Sequence, residues 1–422
     1  MGQAAPPADP CKAEVHSLQS VRVRSAAFIF VVASFARAAD TPATLVSGDE
    51  AEPIHSAVTR QEAWTQDPVR RLRLDAERYL KEGVWTVTAD RPKAIDLDPH
   101  EYYSESPAYW PDAANPAGPY LRRSGQPNPS VFTANRAALG SMCDTVFALG
   151  TAAYLLDDPR YASHAVRVIQ TWFILPKTRM DPNMQHAGTI PGSRNGAAFT
   201  SGGVSEGRPL IRAIQGMEFL AKSGAWDPKE EAATRKWFED YLRWLTPTGP
   251  PPADRPADNP IWRLALEAAV ATFTEDAAAQ RRVFDSYRGP ALPRPPRAAP
   301  GAAVNPPAQA LATNLEARAM ICRIAQLHGV DLWSVPVRSG GAIATAIDSL
   351  EASLADPKQW TKEQSAGFQS NGVYLMAFAG MGLNKPDYVA EFHKLERPEN
   401  AWLALVDLLV ERWEAAAHQT RH

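Results

Sequence analysis

Leu139-Gly140-Ser141-Met142-Cys143-Asp144-Thr145-Val146-Phe147-Ala148-Leu149-Gly150-Thr151-Ala152-Ala153 sets Leu139, Met142, Cys143, Val146, Leu149 and Ala153 three or four positions apart. That spacing draws one apolar stripe along a helix with 3.6 residues per turn. Just downstream, Asp158-Pro159 opens a second helix with Tyr161, Ala165, Val168, Ile169 and Trp172 on one face. Proline suits the first helical position, and the aspartate before it can cap. Upstream, the pattern predicts a helix over Gln61 to Lys81. Further along, helices are predicted from Arg208 to Lys222, from Asp227-Pro228-Lys229-Glu230, and from Pro260. The second of these buries Trp237, Tyr241, Trp244 and Leu245, and the third carries Leu264, Ala268, Ala271 and Phe273. Others follow over about 308–328, 340–355, 370–382 and 398–417. Strand signals are rare. Helices of similar length without a strict repeat predict an all-α chain, either a solenoid or a closed ring of helix hairpins.

Three stretches break the helical pattern: 83–130, the glycine-rich 175–207, and the Pro- and Ala-rich 288–307. Long loops inside a compact domain usually carry function. The chain has 422 residues, 45% hydrophobic and 22% charged, enough for a sizeable core. A net charge of -3 implies no general affinity for nucleic acid; an enzyme acting on a polyanion would need only a local basic cleft. The 12 tryptophans suit the stacking of sugar rings, although core packing is their ordinary use. Cys11, Cys143 and Cys322 fit no metal motif. Cys143 and Cys322 lie in apolar helical patterns and are expected as buried thiols.

At the N-terminus, Arg22 and Arg24 precede an apolar run from Ala26 to Ala36, followed by Ala36-Arg37-Ala38. This is the pattern of a cleavable secretory signal. Residues 1–39 are therefore read as signal peptide with an N-terminal extension, 40–60 as a linker and 61–420 as the folded domain. No later segment reaches ~18 uninterrupted apolar residues, so the expectation is a soluble periplasmic or extracellular monomer without a membrane or nucleic-acid partner.

The loop segments carry a resemblance. Tyr103-Ser104-Glu105-Ser106-Pro107-Ala108-Tyr109-Trp110-Pro111-Asp112 and Gly118-Pro119-Tyr120-Leu121-Arg122-Arg123, with Gly125-Gln126-Pro127-Asn128-Pro129, resemble segments of the alginate-lyase-type polysaccharide lyases. Thr171-Trp172-Phe173, Thr178-Arg179-Met180-Asp181-Pro182-Asn183-Met184 and Ile190-Pro191-Gly192 continue in the same order. So do Gly224-Ala225-Trp226, Asn314-Leu315-Glu316-Ala317 and His328-Gly329-Val330-Asp331-Leu332-Trp333. The resemblance spans roughly 100–335. It implies an incomplete (α/α) toroid of helix hairpins, an acidic polysaccharide such as alginate or glucuronan as substrate, and β-elimination with no cofactor or obligatory metal.

β-Elimination beside a uronate needs a group to neutralise the carboxylate, a base to take the C5 proton, and an acid for the departing oxygen. The family's Asn-Asn-His-Gly segment falls on Ala257-Asp258-Asn259-Pro260-Ile261-Trp262, which contains no histidine, and its Arg and Tyr fall on Asn305-Pro306-Pro307-Ala308-Gln309-Ala310, which contains neither. The remaining candidates are His186 or Tyr109 for proton transfer and Asn259 for neutralisation. Trp110, Tyr103, Tyr120, Arg122, Arg123, Arg194, Arg208 and Trp262 are candidates for binding substrate, and Asn195 neighbours Arg194 in the same loop. Glu206 and Arg208 are expected as a structural ion pair. Two other readings stay open: a carbohydrate-binding relative that has lost catalysis, and a glycoside hydrolase using two of Asp112, Glu206 and Asp258.

Overall fold

The helical period translates into two kinds of helix in the computed structural model, which describes residues 43–92, 96–116, 118–123, 126–192, 203–246, 260–289, 307–336, 342–354, 362–395 and 398–419. One kind is apolar around most of its circumference. In α3 (Ala134–Leu156) and α8 (Pro260–Phe273) nearly every residue past the first turn is buried. The other kind buries one stripe. In α4 (Pro159–Ile169) the buried residues are Tyr161, Ala162, His164, Ala165, Val168 and Ile169. A helix apolar all round belongs inside, and a one-sided helix belongs on the outer layer.

The packing follows that division. The inner helices are α3, α6 (Leu210–Lys222), α8, α10 (Pro307–Leu327), α12 (Lys362–Gly382) and α14 (Ala401–Gln419). Each packs on the next, and α14 returns to pack on α3. Outside them, α4 lies on α3, and α7 (Pro228–Leu245) and α9 (Ala277–Arg288) lie on α8. Likewise α11 (Ile343–Leu354) covers α10 and α13 (Pro386–Lys394) covers α12. At the circuit's ends, α1 (Gly48–Thr59) and α2 (Gln66–Tyr79) contact α3 and α14. The fold is an α/α toroid of helix hairpins. By length and composition α3 is apolar enough to cross a membrane, but 78% of its apolar window is buried inside the protein.

Local signals place the helix ends. Asp158 accepts from the Arg160 N–H at 2.9 Å, and Asp227 accepts from the Lys229 N–H at 2.8 Å; each precedes a proline at the first helical position. Close approach of α3 and α6 depends on two glycines. A Cβ on Gly150 would lie 2.1 Å from the Gly216 carbonyl oxygen. Cys143 and Cys322 are buried free thiols.

Residues 43–60 are not a linker in the structure. Ser47 and Glu50 form a capping box that starts α1, whose Ala51, Ile54 and Ala57 are buried. Before it, the Leu45 and Val46 N–H groups each donate to Gln215 Oε1 at 2.8 Å. Thr44 donates its N–H and its hydroxyl to Glu218, the latter at 2.6 Å. Arg323 of α10 binds Glu50 through one nitrogen and the Leu45 carbonyl through another. The sequence hides this because the partners lie more than 160 positions away. Residues 1–39, with the stretch read as a signal peptide and Cys11, lie outside the described residues. The sequence reading also passed over α9 and α13, two short helices whose stripes (Val283, Phe284 and Tyr287; Tyr388, Val389 and Phe392) are narrow.

The loops 83–130 and 175–207 meet. β1 (Tyr103–Glu105) pairs in parallel with β4 (His186–Thr189), and β2 (Tyr109–Trp110) pairs antiparallel with β3 (Leu121–Arg122). The Tyr120 N–H donates to the Pro191 carbonyl at 3.0 Å. Gly192, at φ +74°, packs so tightly that a Cβ would lie 2.1 Å from the Gly118 oxygen. A short helix, α5 (Gly203–Glu206), then leads into α6.

Candidate active site

The first turns of α3, α6 and α8 contribute Arg136, Arg212 and Trp262 to a cavity of about 540 Å3. Unpaired N–H groups in such turns favour negative charge. The wall is completed by Ser106 to Ala108 after β1, Gly188 of β4, Glu206, Arg208 and Glu316 of α10.

Glu206 is already satisfied. It accepts hydrogen bonds from the Tyr102 hydroxyl at 2.7 Å, the Ser104 hydroxyl at 2.6 Å and the Arg136 guanidinium. Burial, then the Glu206 charge, push the Tyr102 phenol well above its ordinary range. Ser104 also accepts the Gly188 N–H at 2.8 Å, which ties β4 to this network. Arg212 donates to Asp144 at 2.6 Å.

Arg208 is different. Its Nε donates to the Ser205 carbonyl at 2.9 Å, and its guanidinium carbon sits 4.7 Å from the centroid of the Trp262 ring. Among the described residues no carboxylate lies within ion-pair distance of it. Burial lowers its pKa, and the Glu316 charge works against that shift. Trp262 is 2% exposed, and its indole N–H has no partner among the described residues. The expected Glu206–Arg208 ion pair is therefore replaced by Glu206–Arg136.

Glu316 is the second unsatisfied charge. Its carboxyl borders the cavity, and burial pushes it up to about 7, with Arg208 and Arg212 offsetting part of the effect. Among the described residues nothing is hydrogen-bonded to it.

Of the candidates read from sequence, Arg208 and Trp262 are brought together on the cavity wall. His186 is not on that wall: its Nε2 lies 2.9 Å from Glu101, which also accepts from Gln185 at 3.2 Å. Tyr103 is buried and donates its hydroxyl to Glu105 at 2.9 Å, so it packs the loop instead of facing the cavity. Burial and Glu105 raise its pKa. Tyr109, Trp110, Arg122 and Arg123 form the small ribbon next to the wall residue Ala108. Trp110 donates to the Gln126 carbonyl at 2.7 Å, and the Arg123 guanidinium sits 5.5 Å from its ring. Tyr120 precedes that ribbon, anchored through its backbone. Asp112 accepts from the Ala114 N–H at 2.9 Å, a turn contact. Arg194, Asn195, Asp258 and Asn259 lie outside the described residues.

Sequence reasoning missed Arg136, Arg212 and Glu316. The signal for Glu316 was present: Leu315, Ala317, Ala319 and Ile321 flank it in a helix whose faces are otherwise buried. A carboxyl in such surroundings needs a reason. Among the described residues no group of three or more His, Cys, Asp or Glu side chains is placed to hold a metal ion.

The comparisons agree with this geometry. No curated protein matches the chain in sequence. Among solved structures it is similar to an alginate lyase from Bacteroides ovatus, with a TM-score of 0.75 and 24% identity over 87% of this chain and 99% of that one. It is also similar to alginate lyase A1-III from Sphingomonas species A1, with a TM-score of 0.50 and 12% identity over 78% and 92% of the two chains. The apo form of a histidine-to-alanine variant of alginate lyase A1-III gives a TM-score of 0.54 and 13% identity over 83% and 90%. At these identities the likeness speaks for the fold. The profile of the family described as Alginate lyase matches residues 86–360, more than half of the chain and all of the cavity wall, and the chain therefore belongs to the alginate lyase family of polysaccharide lyases.

Proposed function

We propose that this chain binds a uronic-acid polysaccharide, such as alginate or glucuronan, in the Arg136–Arg208–Arg212 cavity and cleaves it by β-elimination. The observation that carries this reading is Arg208. A guanidinium held over an indole, partly desolvated and without a bound carboxylate among the described residues, suits the planar carboxylate of a uronate. Neutralising that carboxylate makes the neighbouring C5 proton acidic. The ribbon bearing Tyr109, Trp110, Arg122 and Arg123, with Tyr120, would extend the site for further sugar units. The chain acts as a secreted monomer, exported by its N-terminal signal.

The test is incubation with alginate and glucuronan while following the ultraviolet absorbance of the C4=C5 double bond. A rise is expected, together with its loss in Arg208→Ala. A second reading, a binding-only relative, draws support from the absence of histidine at the family's Asn-Asn-His-Gly position and from the tie between His186 and Glu101. Oligosaccharide binding without unsaturated product would favour it. Hydrolysis by Glu206 is disfavoured because three donors already occupy that carboxylate.

A further inference from the structure

We propose that Glu316 is the proton-transfer residue of this cavity, standing in for the histidine and tyrosine that the sequence lacks. The proposal rests on the lyase reading above and names the group that performs its central step.

Three features of its position support it. Glu316 borders the same cavity as Arg208 and Trp262, so a uronate held by the guanidinium would lie within the reach of its carboxyl. No hydrogen bond from the described residues occupies it, in contrast to Glu206 on the same wall. Its surroundings also let it change charge near neutrality, since burial raises it to about 7. A base is most effective when its pKa lies near the working pH.

The groups around it are few. Arg208, ahead of α6, and Arg212 of α6 act on it electrostatically and favour its charged form. Tyr374 of α12 feels the Glu316 charge, and its phenol is raised, by burial first. From α8 the neighbour on the cavity wall is the indole of Trp262, and from α3 it is Arg136, which is engaged with Glu206.

The step balances without another reactant. The Glu316 carboxylate takes the C5 proton of the uronate. The C5–H electron pair becomes the C4=C5 double bond as the C4–O bond breaks. The proton then passes from Glu316 to the departing glycosidic oxygen, which regenerates the carboxylate. Because one group serves both ends, C5–H and C4–O must lie on the same face of the ring. D-mannuronate and D-glucuronate meet that condition and L-guluronate does not.

The experiment uses the full chain with polymannuronate and glucuronan, and compares wild type, Glu316→Gln and Glu316→Asp. Wild type should give unsaturated product, with kcat/KM rising with pH along a limb near neutrality. Glu316→Gln should lose roughly 10²–10⁴-fold in kcat while still binding the oligosaccharide. Glu316→Asp should retain part of the rate with its limb displaced. Product from wild type with an equal rate in Glu316→Gln overturns the proposal and leaves the lyase reading standing. No product from wild type on either polymer overturns both. If Glu316→Gln does not fold, the wild-type and Glu316→Asp profiles decide: a neutral limb that moves in the aspartate variant supports the assignment, and no neutral limb, or one that stays in place, overturns it.

Discussion

Glu218 near the end of α6 and Glu316 in the middle of α10 are both buried on inner helices, and burial pushes both carboxyls up to about 7. Their surroundings differ. Glu218 receives the N–H and hydroxyl of Thr44 and, with Gln215, clamps Thr44 to Val46 against α6. Glu316 receives no hydrogen bond from the described residues and borders a cavity shared with Arg208. Desolvation alone therefore does not mark a functional carboxyl. What separates a structural one from a chemical one is whether local donors have already consumed its lone pairs.

This comparison can be broken most directly at Arg208. Arg208→Ala should lower kcat/KM on a polyuronate by roughly 10²–10³-fold, with little change in thermal unfolding. A large loss of stability with normal kinetics would make Arg208 part of the structural set. The next effect is on stability against pH. Folded, Glu218 and Glu316 keep their protons up to about pH 7, whereas their ordinary value is 4.5. Between those values the folded state binds more protons than the unfolded one, so stability is greatest at the acid end and falls as pH rises through about 7. The fall should be roughly 3 kcal/mol per group, read from urea unfolding at about pH 5 and about pH 8. Glu218→Gln should flatten this slope without changing the elimination rate, and an unchanged slope would remove Glu218 from the account.

A smaller effect is expected at the saturated carboxylate. Tyr102→Phe removes one of the donors to Glu206 and should cost about 1 kcal/mol of stability, measured by denaturant unfolding. The smallest is expected at His186. His186→Ala should leave kcat/KM unchanged, because its ring is paired with Glu101 away from the cavity wall. A large loss would mean that substrate draws β4 into the site.

Much of the architecture was legible because it is written locally. The stripe from Leu139 to Ala153 and the caps at Asp158 and Asp227 depend on neighbours within a few positions, and all appear in the structure. The family was legible from the order of its loop segments. The site was legible only in part. Arg208 and Trp262 were found because they lie in or beside recognised segments. Glu316 was quoted within such a segment and given no role, although its apolar neighbours Leu315, Ala317, Ala319 and Ile321 marked it as a carboxyl on a buried helix. Tyr103 was read as a substrate-binding residue because a loop sequence does not show which side chains turn inward, as Tyr103 does.

The sequence by itself determined the helical period, the all-α class, and membership of the alginate lyase family. Only the tertiary structure decided that Thr44 to Val46 close onto α6, that Arg136 takes Glu206 and leaves Arg208 to face Trp262, and that Glu316 is desolvated without a donor among the described residues. Helix periodicity is fixed by covalent geometry over a few residues. Ion pairing and desolvation depend on distances between groups far apart in sequence, 273 positions for Arg323 and Glu50, and those distances exist only once the ring of helices has packed.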